Sequence, residues 1–198
     1  NESASIGRLL DSMAEQGRPP DELVIVDGGS RDSTVAILES FAAGAPFAMR
    51  VLVRPGANIS EGRNLAISEA AGPIIAVTDA GVRLEPDWLE QLLAPFSDEP
   101  APDVVSGFFV PEHHSFFEHV LGVVTLPSLQ EIDPDHFYPS SRSVAFRREA
   151  WEQVGGYPEW LDYCEDLLFD FGLEDAGYRF AFVPDARVYF RPRGTLKA

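Results

Sequence analysis

Ile74-Ile75-Ala76-Val77-Thr78-Asp79 is a short apolar run that ends at an acid. A run of this length, bounded by polar and turn-forming residues, predicts a buried strand, and Asp79 falls where that strand ends. In open sheets of alternating strands and helices, ligands bind outside the carboxyl ends of the strands. The sequence therefore predicts a binding site around Asp79, on a fold that the neighbouring segments decide.

Strand and helix patterns alternate on both sides of this run through the first hundred residues. In chain order we predict a helix over 5–16, a strand over 23–26, a helix capped by Asp32 or Ser33, a strand over 51–53, a helix from Ser60 to about 71, the strand 74–77 and a helix after Pro86. This alternation predicts an α/β fold in a single domain, with a mostly parallel central sheet and helices on both faces.

The second half of the chain is less regular. Strands are predicted over 104–110, 143–146 and 180–183, helices over 115–124, 149–154 and 165–176, and a loop over 127–142. No internal repeat or shift in composition defines a second domain. We interpret residues 1–100 as a nucleotide-binding part and residues 101–198 as the part that shapes an acceptor site.

Charge and composition exclude several classes of protein. The formal net charge of −17 argues against a nucleic-acid partner, since binding a phosphate backbone needs clustered Lys and Arg. No apolar run approaches the roughly 20 residues that span a bilayer, and no secretory signal is visible. The single cysteine, Cys164, excludes a disulfide within the chain and fits a reducing compartment. The chain opens at Asn1 rather than Met, so we expect a fragment or an excised domain.

Three short motifs carry side chains that suit ligand chemistry. Asp27-Gly28-Gly29-Ser30 follows a strand, and its glycines allow a close backbone approach, although a plain turn explains it equally well. Arg63 begins a helix and can clamp a phosphate through its forked donors, although a surface Arg is more often simply solvated. Glu165-Asp166 also begins a helix, where an acid can act as a general base or merely complement the helix dipole.

The order of these motifs along the chain is more informative than any one of them. Together they resemble the family 2 glycosyltransferases of the GT-A fold, over essentially the whole chain. The motifs that carry the resemblance are Asn1-Glu2, Val26-Asp27-Gly28-Gly29-Ser30, Gly62-Arg63-Asn64, Thr78-Asp79-Ala80-Gly81, Phe146-Arg147-Arg148, Gly155-Gly156-Tyr157 and Glu165-Asp166. Family members begin with a strand that leads into a segment similar to Asn1-Glu2, so the resemblance implies that the first strand is missing from this sequence.

The resemblance implies an inverting transfer of a sugar from a nucleotide-sugar donor to a hydroxyl acceptor, as in the synthesis of polysaccharides or glycolipids. Asp27 would hold the base or ribose of the nucleotide. Arg63 and Asn64 would lie near the nucleotide, and Asp79 matches the first acid of the Asp-x-Asp signature, which binds ribose and a divalent cation. Asp166 would be the general base that deprotonates the acceptor.

The acceptor side is implied in the same way. Trp160 and Tyr157 would shape the acceptor pocket, together with Glu165 of the late acidic pair. Arg142 is expected at the substrate site as well, as one of the basic residues that can balance the charge of the leaving group.

Two positions depart from the family pattern, and both concern the metal. Gly81 stands where the second acid of the Asp-x-Asp signature is expected, and Phe190 stands where many members carry a His. Mn²⁺ or Mg²⁺ could still bind at Asp79 with diphosphate oxygens and waters. Alternatively the metal is weak or dispensable, and the charge of the leaving group is balanced by arginines, the candidates being Arg63, Arg142, Arg191 and Arg193.

Two other functions stay open on the sequence alone. One is a catalytically inert GT-A module that binds nucleotide through a degraded metal site. A cleft filled by side chains of residues 127–142 would favour this function. The other is a nucleotidyltransferase, which the absence of a basic glycine-rich loop disfavours. We expect the glycosyltransferase to be cytoplasmic, and peripheral association of its full-length form with the inner face of the membrane stays open.

Overall fold

The computed structural model describes residues 1–113 and 115–192. Of the residues predicted to act on the donor, Arg193 lies outside this range. Within it the chain forms one α/β unit with seven α-helices and seven strands. None of the described helices combines the length and the apolar character that crossing a membrane requires.

The first half alternates strand and helix as predicted. Its elements are α1 (Ile6–Ala14), β1 (Glu22–Asp27), α2 (Thr34–Ala42), β2 (Ala48–Val53), α3 (Ile59–Glu69), β3 (Ile74–Val77), β4 (Val82–Leu84) and α4 (Trp88–Leu93). The cap of α3 is Asn58 rather than the predicted Ser60. The Asn58 side chain accepts from the Glu61 backbone N–H, and the Glu61 side chain accepts from the Asn58 N–H, which closes a capping box.

The second half is also close to prediction. Its elements are β5 (Val104–Pro111), α5 (Phe116–Thr125), β6 (Val144–Arg147), α6 (Arg148–Val154), α7 (Glu165–Asp175) and β7 (Phe180–Phe190). The strand β7 is longer than the predicted 180–183, and the three-residue strand β4, which was not predicted, pairs with its distal end. The tail of β7 carries Phe190 to the edge of the site described below.

The strands form two sheets whose pairings are mixed, so the prediction of a mostly parallel sheet is wrong. β1 and β2 pair in parallel, and a five-stranded sheet has the order β3-β6-β5-β7-β4. In that sheet β5 and β7 are parallel, whereas β6 runs antiparallel to both β3 and β5, and β4 runs antiparallel to β7. An apolar run indicates that a strand forms but carries no sign of its direction, which is why the sequence did not reveal the reversals.

A gap separates the two sheets. Within the described residues β1 pairs only with β2, and β3 pairs only with β6, so each presents one unpaired backbone edge. A cavity of about 1350 Å³ lies between these edges and is lined by five residues of β1 and all four of β3. Its polar end reaches Asp79, just beyond β3.

The hydrophobic core lies on both sides of the five-stranded sheet. One cluster packs α1 and α4 against β4, β5 and β7, around the fully buried Trp88 and Leu92. The other packs α6 and α7 against β3 and β6, around Phe146 and Tyr157. Burial on both faces fixes the strand ends, and with them the loops that carry the candidate site.

Candidate active site

Arg63 ties together three parts of the chain that are far apart in sequence. Its guanidinium donates to Oδ1 of Asp79 over 2.8 Å and to Oε1 of Glu165 over 2.6 Å. Asp79 follows β3, Arg63 lies in the second turn of α3, and Glu165 is the first residue of α7. The helix and strand ends therefore meet at one edge of the sheet, and the acids that the sequence predicted are brought to a single place.

The electrostatics of this bridge favour full ionisation of Arg63. Its side chain is only 11% exposed, and burial by itself favours the neutral form. The negative charge of Asp79 and the hydrogen bonds to Asp79 and Glu165 outweigh that effect and raise the pKa of Arg63. The guanidinium also lies 5.4 Å from the centre of the Tyr157 ring, a distance typical of a cation–π contact. The bridge is thus a fixed, charged element rather than a solvated surface pair.

Asp27 shapes the loop that follows β1. Its Oδ1 accepts from the backbone N–H groups of Gly29 over 2.8 Å and Ser30 over 2.6 Å. Burial opposes ionisation, but the hydrogen bonds from Ser30 and Gly29 prevail and lower the pKa of Asp27. Gly29 adopts a φ of +102°, and a Cβ there would come within 3.0 Å of Pro55. The turn therefore needs this glycine, and Asp27 is a carboxylate at the end of β1, one residue before Gly28, which lines the large cavity.

Asn64 does not face the same cavity as its neighbour Arg63. Its side-chain amide donates to the Tyr157 carbonyl over 2.8 Å and accepts from the Tyr157 N–H over 2.9 Å and from Trp151 Nε1 over 3.1 Å. The second N–H of the amide reaches Glu159 Oε1 at 3.1 Å. Both donors and both acceptor positions of the amide are thus occupied by protein groups. Asn64 therefore anchors the 157–159 segment to α3. This geometry gives no support to its predicted contact with nucleotide.

Asp166 lies beside the bridge, in the first turn of α7. Its side chain is partly exposed, and its Oδ1 accepts from the Leu167 N–H over 3.0 Å. One turn further on, Asp170 is 2% exposed and has an Oδ2 without a hydrogen-bond partner among the described residues. Burial, reinforced by the charge of Asp166, raises the pKa of Asp170 to about 9. Sequence reasoning missed Asp170, although its spacing of four residues from Asp166 on a helix was an available signal.

The residues predicted to shape the acceptor pocket divide into buried and exposed ones. Tyr157 is 2% exposed, stacks on Phe169 with ring centres 4.3 Å apart, and its hydroxyl lies 3.0 Å from Ser141 Oγ. Burial raises its pKa, so it is neutral at physiological pH. Trp160 is 76% exposed and borders a second, smaller cavity of about 590 Å³. Tyr157 therefore supports the site from within the core, whereas Trp160 is free to contact another molecule.

Arg142 lies on the other side of Asp79 from Arg63. Its Nε is 4.0 Å from Oδ2 of Asp79, and its side chain is 36% exposed. The guanidinium lies 4.8 Å from the centre of the Phe190 ring, and the Arg142 carbonyl accepts from Thr78 Oγ1 over 2.9 Å. Of the loop residues 127–142 that the structure describes, Arg142 alone lines the large cavity. This loop therefore does not plug the cavity, which was the feature expected of an inert module.

The residues around Asp79 do not fit a divalent cation held by protein ligands. Oδ1 of Asp79 is bonded to Arg63 and Oδ2 faces Arg142, while Gly81 and Phe190 offer no side-chain donor atoms. Within residues 1–113 and 115–192 no group of three His, Cys, Asp or Glu side chains is arranged to hold a metal ion. Mg²⁺ and Mn²⁺ require oxygen ligands, and two guanidinium groups beside the carboxylate repel a cation. The predicted metal ligand Asp79 is instead the shared partner of two arginines.

Comparison with known proteins identifies relatives that share both sequence and fold. The O-antigen chain rhamnosyltransferase RfbN of Salmonella typhimurium is 26% identical over 192 residues, covering 91% of this chain and 60% of its own length. The poly(ribitol-phosphate) β-N-acetylglucosaminyltransferase TarS of Staphylococcus aureus is 28% identical over 200 residues, covering 96% of this chain and 34% of its own. The chain thus spans about 60% of the first of these relatives and about a third of the second.

Two solved structures support the same fold. The crystal structure of S. aureus TarS 1-349 in complex with UDP superposes with a TM-score of 0.78, at 20% identity, over 96% of this chain and 57% of that one. The mannosyltransferase PcManGT from Pyrobaculum calidifontis, in complex with GDP-Man and Mn²⁺, superposes with a TM-score of 0.72 at 26% identity, over 93% of this chain and 52% of that one. Both are GT-A glycosyltransferases, which confirms the predicted fold.

The family assignment follows from a direct match. Residues 1–155 match the family described as "Glycosyl transferase family 2". The matched range contains Asp27, Arg63 and Asp79, and ends at Gly155, before the acidic pair that begins α7. The resemblance found in the sequence is thereby confirmed, and this chain belongs to glycosyl transferase family 2.

Proposed function

We propose that this chain is the catalytic domain of an inverting glycosyltransferase that moves a sugar from a nucleotide-sugar donor to a hydroxyl group of a glycan or lipid-linked acceptor. The observation that carries the proposal is the Arg63 bridge, which joins Asp79 at the end of β3 to Glu165 at the start of α7. Asp166, the proposed general base, directly follows Glu165 in α7, and this position supports its proposed role beside the donor-binding acid. The named activities of RfbN, TarS and PcManGT support this class of reaction.

The proposal divides the chain into two working parts. Residues 1–100 bind the nucleotide-sugar, with Asp79 and the Arg63 that holds it lining the large cavity and with Asp27 shaping the loop after β1. Residues 101–198 bind the acceptor, with Trp160 as the exposed contact and with Glu165 held in place by Arg63. Peripheral membrane association of the full-length protein stays a prediction, since no described element tests it.

In the chemical step, the carboxylate of Asp166 takes the proton of the acceptor hydroxyl. The acceptor oxygen forms a bond to the anomeric carbon on the face opposite the nucleotide, while the bond from that carbon to the diphosphate oxygen breaks. The bonding electron pair leaves with the nucleoside diphosphate, and the configuration at the anomeric carbon is inverted. The partial exposure of Asp166 supports this role, because the acceptor must reach its carboxylate.

The test replaces Asp166 by Asn and measures sugar transfer and donor hydrolysis across a panel of UDP- and GDP-sugars. We expect kcat to fall by about 10³-fold or more, with donor affinity within about twofold of wild type, because the amide cannot accept a proton. Asp162→Asn is the matched control, since Asp162 is an exposed acid of the same segment. Equal turnover in wild type and Asp166→Asn would refute the role, and retention of the anomeric configuration in the product would refute inversion.

The inert nucleotide-binding module is the competing function. It predicts that wild type binds a nucleotide but turns over no member of the panel, with or without Mn²⁺. The 127–142 loop argues against it, since Arg142 is its one described residue that lines the cavity, so this loop does not plug the polar end around Asp79.

We propose, for the domain itself, that a further parallel strand fills the gap between β1 and β3. The Asn1 side chain accepts from the Arg31 N–H over 2.8 Å, and the Glu2 N–H donates to Thr34 Oγ1 over 2.8 Å. These contacts put residues 1–2 at the carboxyl end of β1. A strand that leads from the gap into Asn1 would run parallel to β1, with α1 as the crossover of a βαβ unit.

Hydrogen exchange on the full-length protein tests this proposal. Amides of β1 and β3 should exchange as slowly as those of the fully paired strand β5, because both free edges become hydrogen-bonded. Exchange at the rate of an open edge strand would contradict the proposal.

A further inference from the structure

The donor's diphosphate needs a positive partner, and the chain offers a limited choice near Asp79. Both terminal nitrogens of Arg63 are committed, one to Asp79 and one to Glu165. Arg191, which also borders the cavity, donates through Nε and Nη2 to the buried carboxylate of Glu118 at 2.9 and 2.8 Å. These two arginines are held by acids inside the protein.

Arg142 is the exception. A guanidinium has five N–H donors, and among the described residues that of Arg142 forms one hydrogen bond, to Ser140 Oγ at 3.1 Å. Its contact with Asp79, at 4.0 Å, is looser than that of Arg63. The side chain is about one-third exposed and faces the large cavity, so its remaining donors are accessible to a ligand there.

The surroundings of Arg142 hold its charge in a particular place. The guanidinium stacks on Phe190 at 4.8 Å and approaches the Phe109 ring at 5.7 Å. It therefore contacts both Asp79 and Phe190, which also line the cavity. Its backbone is anchored as well, since the Thr78 hydroxyl donates to the Arg142 carbonyl over 2.9 Å. An aromatic ring on one side and an acid on the other leave the cation little freedom to move away.

We propose that Arg142 is the built-in cation of this site and neutralises the diphosphate of the donor in place of a divalent metal. The proposal rests on the function proposed above and specifies its cofactor requirement. The Arg142 guanidinium donates to diphosphate oxygens through forked N–H groups and stabilises the charge that develops on the leaving nucleoside diphosphate. The Phe190 ring supports this cation through a cation–π contact, which a metal-binding side chain at position 190 would not provide.

Titration calorimetry with UDP and with GDP, in EDTA and in Mn²⁺, tests the proposal on the full chain. The nucleotide that binds should bind wild type with a Kd that differs by less than about threefold between the two buffers. Arg142→Ala should weaken binding by about 10- to 100-fold, the range expected for loss of a charged hydrogen-bond donor, and Mn²⁺ should not restore it. Arg142→Lys should lie between wild type and Arg142→Ala, and its thermal melting shows whether the fold is kept.

The matched control is Arg83→Ala. Arg83 is 37% exposed, pairs with Glu112 at 2.7 Å and stacks on Tyr189 at 4.1 Å, so it shares the chemistry of Arg142 outside the large cavity. Its removal should change nucleotide affinity by less than about twofold.

Other outcomes separate the two proposals. Tightening of wild-type binding by Mn²⁺ of about tenfold or more, or normal binding by Arg142→Ala, would overturn the built-in cation while leaving sugar transfer intact. Failure of both UDP and GDP to bind in either buffer would overturn the built-in cation and the proposed function together.

Discussion

The proposed donor side and the proposed acceptor side of the site are built in opposite ways. On the donor side, Arg63 is about one-tenth exposed and donates a direct hydrogen bond to Asp79. On the acceptor side, Trp160 and Tyr163 are more than three-quarters exposed. The donor side is thus fixed before any ligand arrives, whereas the acceptor side presents aromatic surface to solvent.

Arg63→Ala should remove the hydrogen bonds to Asp79 and Glu165, and it should have the largest effect on stability and on transfer activity. Removing the guanidinium leaves the Glu165 carboxylate buried without its cation, and breaking a buried ion pair costs about 3–5 kcal/mol of unfolding free energy. Transfer activity should fall by at least about 100-fold, because Asp79 and α7 lose their link. Urea denaturation and initial rates measure the two effects.

Arg50→Ala is the control for that variant. Arg50 also bridges two acids, Glu22 and Glu69, but at 3.3 Å each and with 46% of its side chain exposed. Its loss should cost less than about 1 kcal/mol and leave transfer unchanged. Equal losses in the two variants would contradict the idea that the buried bridge organises the site.

Asp170 sharpens the comparison, because it is a buried acid that no arginine neutralises. Its folded pKa of about 9 lies above the ordinary value of 3.8, so above pH 4 the native state binds more protons than the unfolded state. Its contribution to stability is complete below about pH 4 and is lost as the pH rises through 9. The unfolding free energy of wild type minus that of Asp170→Asn should therefore fall with pH, by at most about 1.4 kcal/mol per unit.

Denaturant titrations between pH 5 and 9 measure this difference. Asp175→Asn, an exposed acid at the end of the same helix, should show no such slope. A difference between wild type and Asp170→Asn that is independent of pH would show that Asp170 is ionised in the folded protein.

Trp160→Ala should have the smallest effect on the fold and touch only the acceptor side. The side chain is mostly exposed, so the unfolding free energy should change by less than about 0.5 kcal/mol. The KM for the acceptor should rise about tenfold, while the Kd for the nucleotide stays within about twofold. Phe116→Ala, which removes an exposed aromatic ring from α5, should change neither value. A rise in nucleotide Kd for Trp160→Ala would mean that the two sides are not separate.

Much of the fold could be predicted because its signals are local. The apolar run before Asp79, the helix starting at Glu165 and the left-handed Gly155 and Gly177 after α6 and α7 all stand where the patterns indicated. Strand direction and the short strand β4 depend on pairings with distant segments, which leave no local mark.

The site was predicted unevenly for a related reason. Order along the chain indicated that Asp79 and Glu165 belong to one site, but only the fold could show that Arg63 joins them. Asn64, next to Arg63 in sequence, points to a different set of partners because successive residues on a helix face about 100° apart. Arg142 comes from a loop with no periodicity, so its place beside Phe190 follows from the length of β7 rather than from any motif.

Cys164 gives the site a practical property. It is the single thiol of these 198 residues, it is exposed, and it precedes Glu165 in a left-handed conformation with a φ of 59°. A fluorophore or spin label attached there would sit one residue from Glu165 of the Arg63 bridge and two from the proposed general base Asp166, with no other cysteine in these residues to remove. Ligand binding to this domain can therefore be followed spectroscopically on a sequence that is otherwise unaltered.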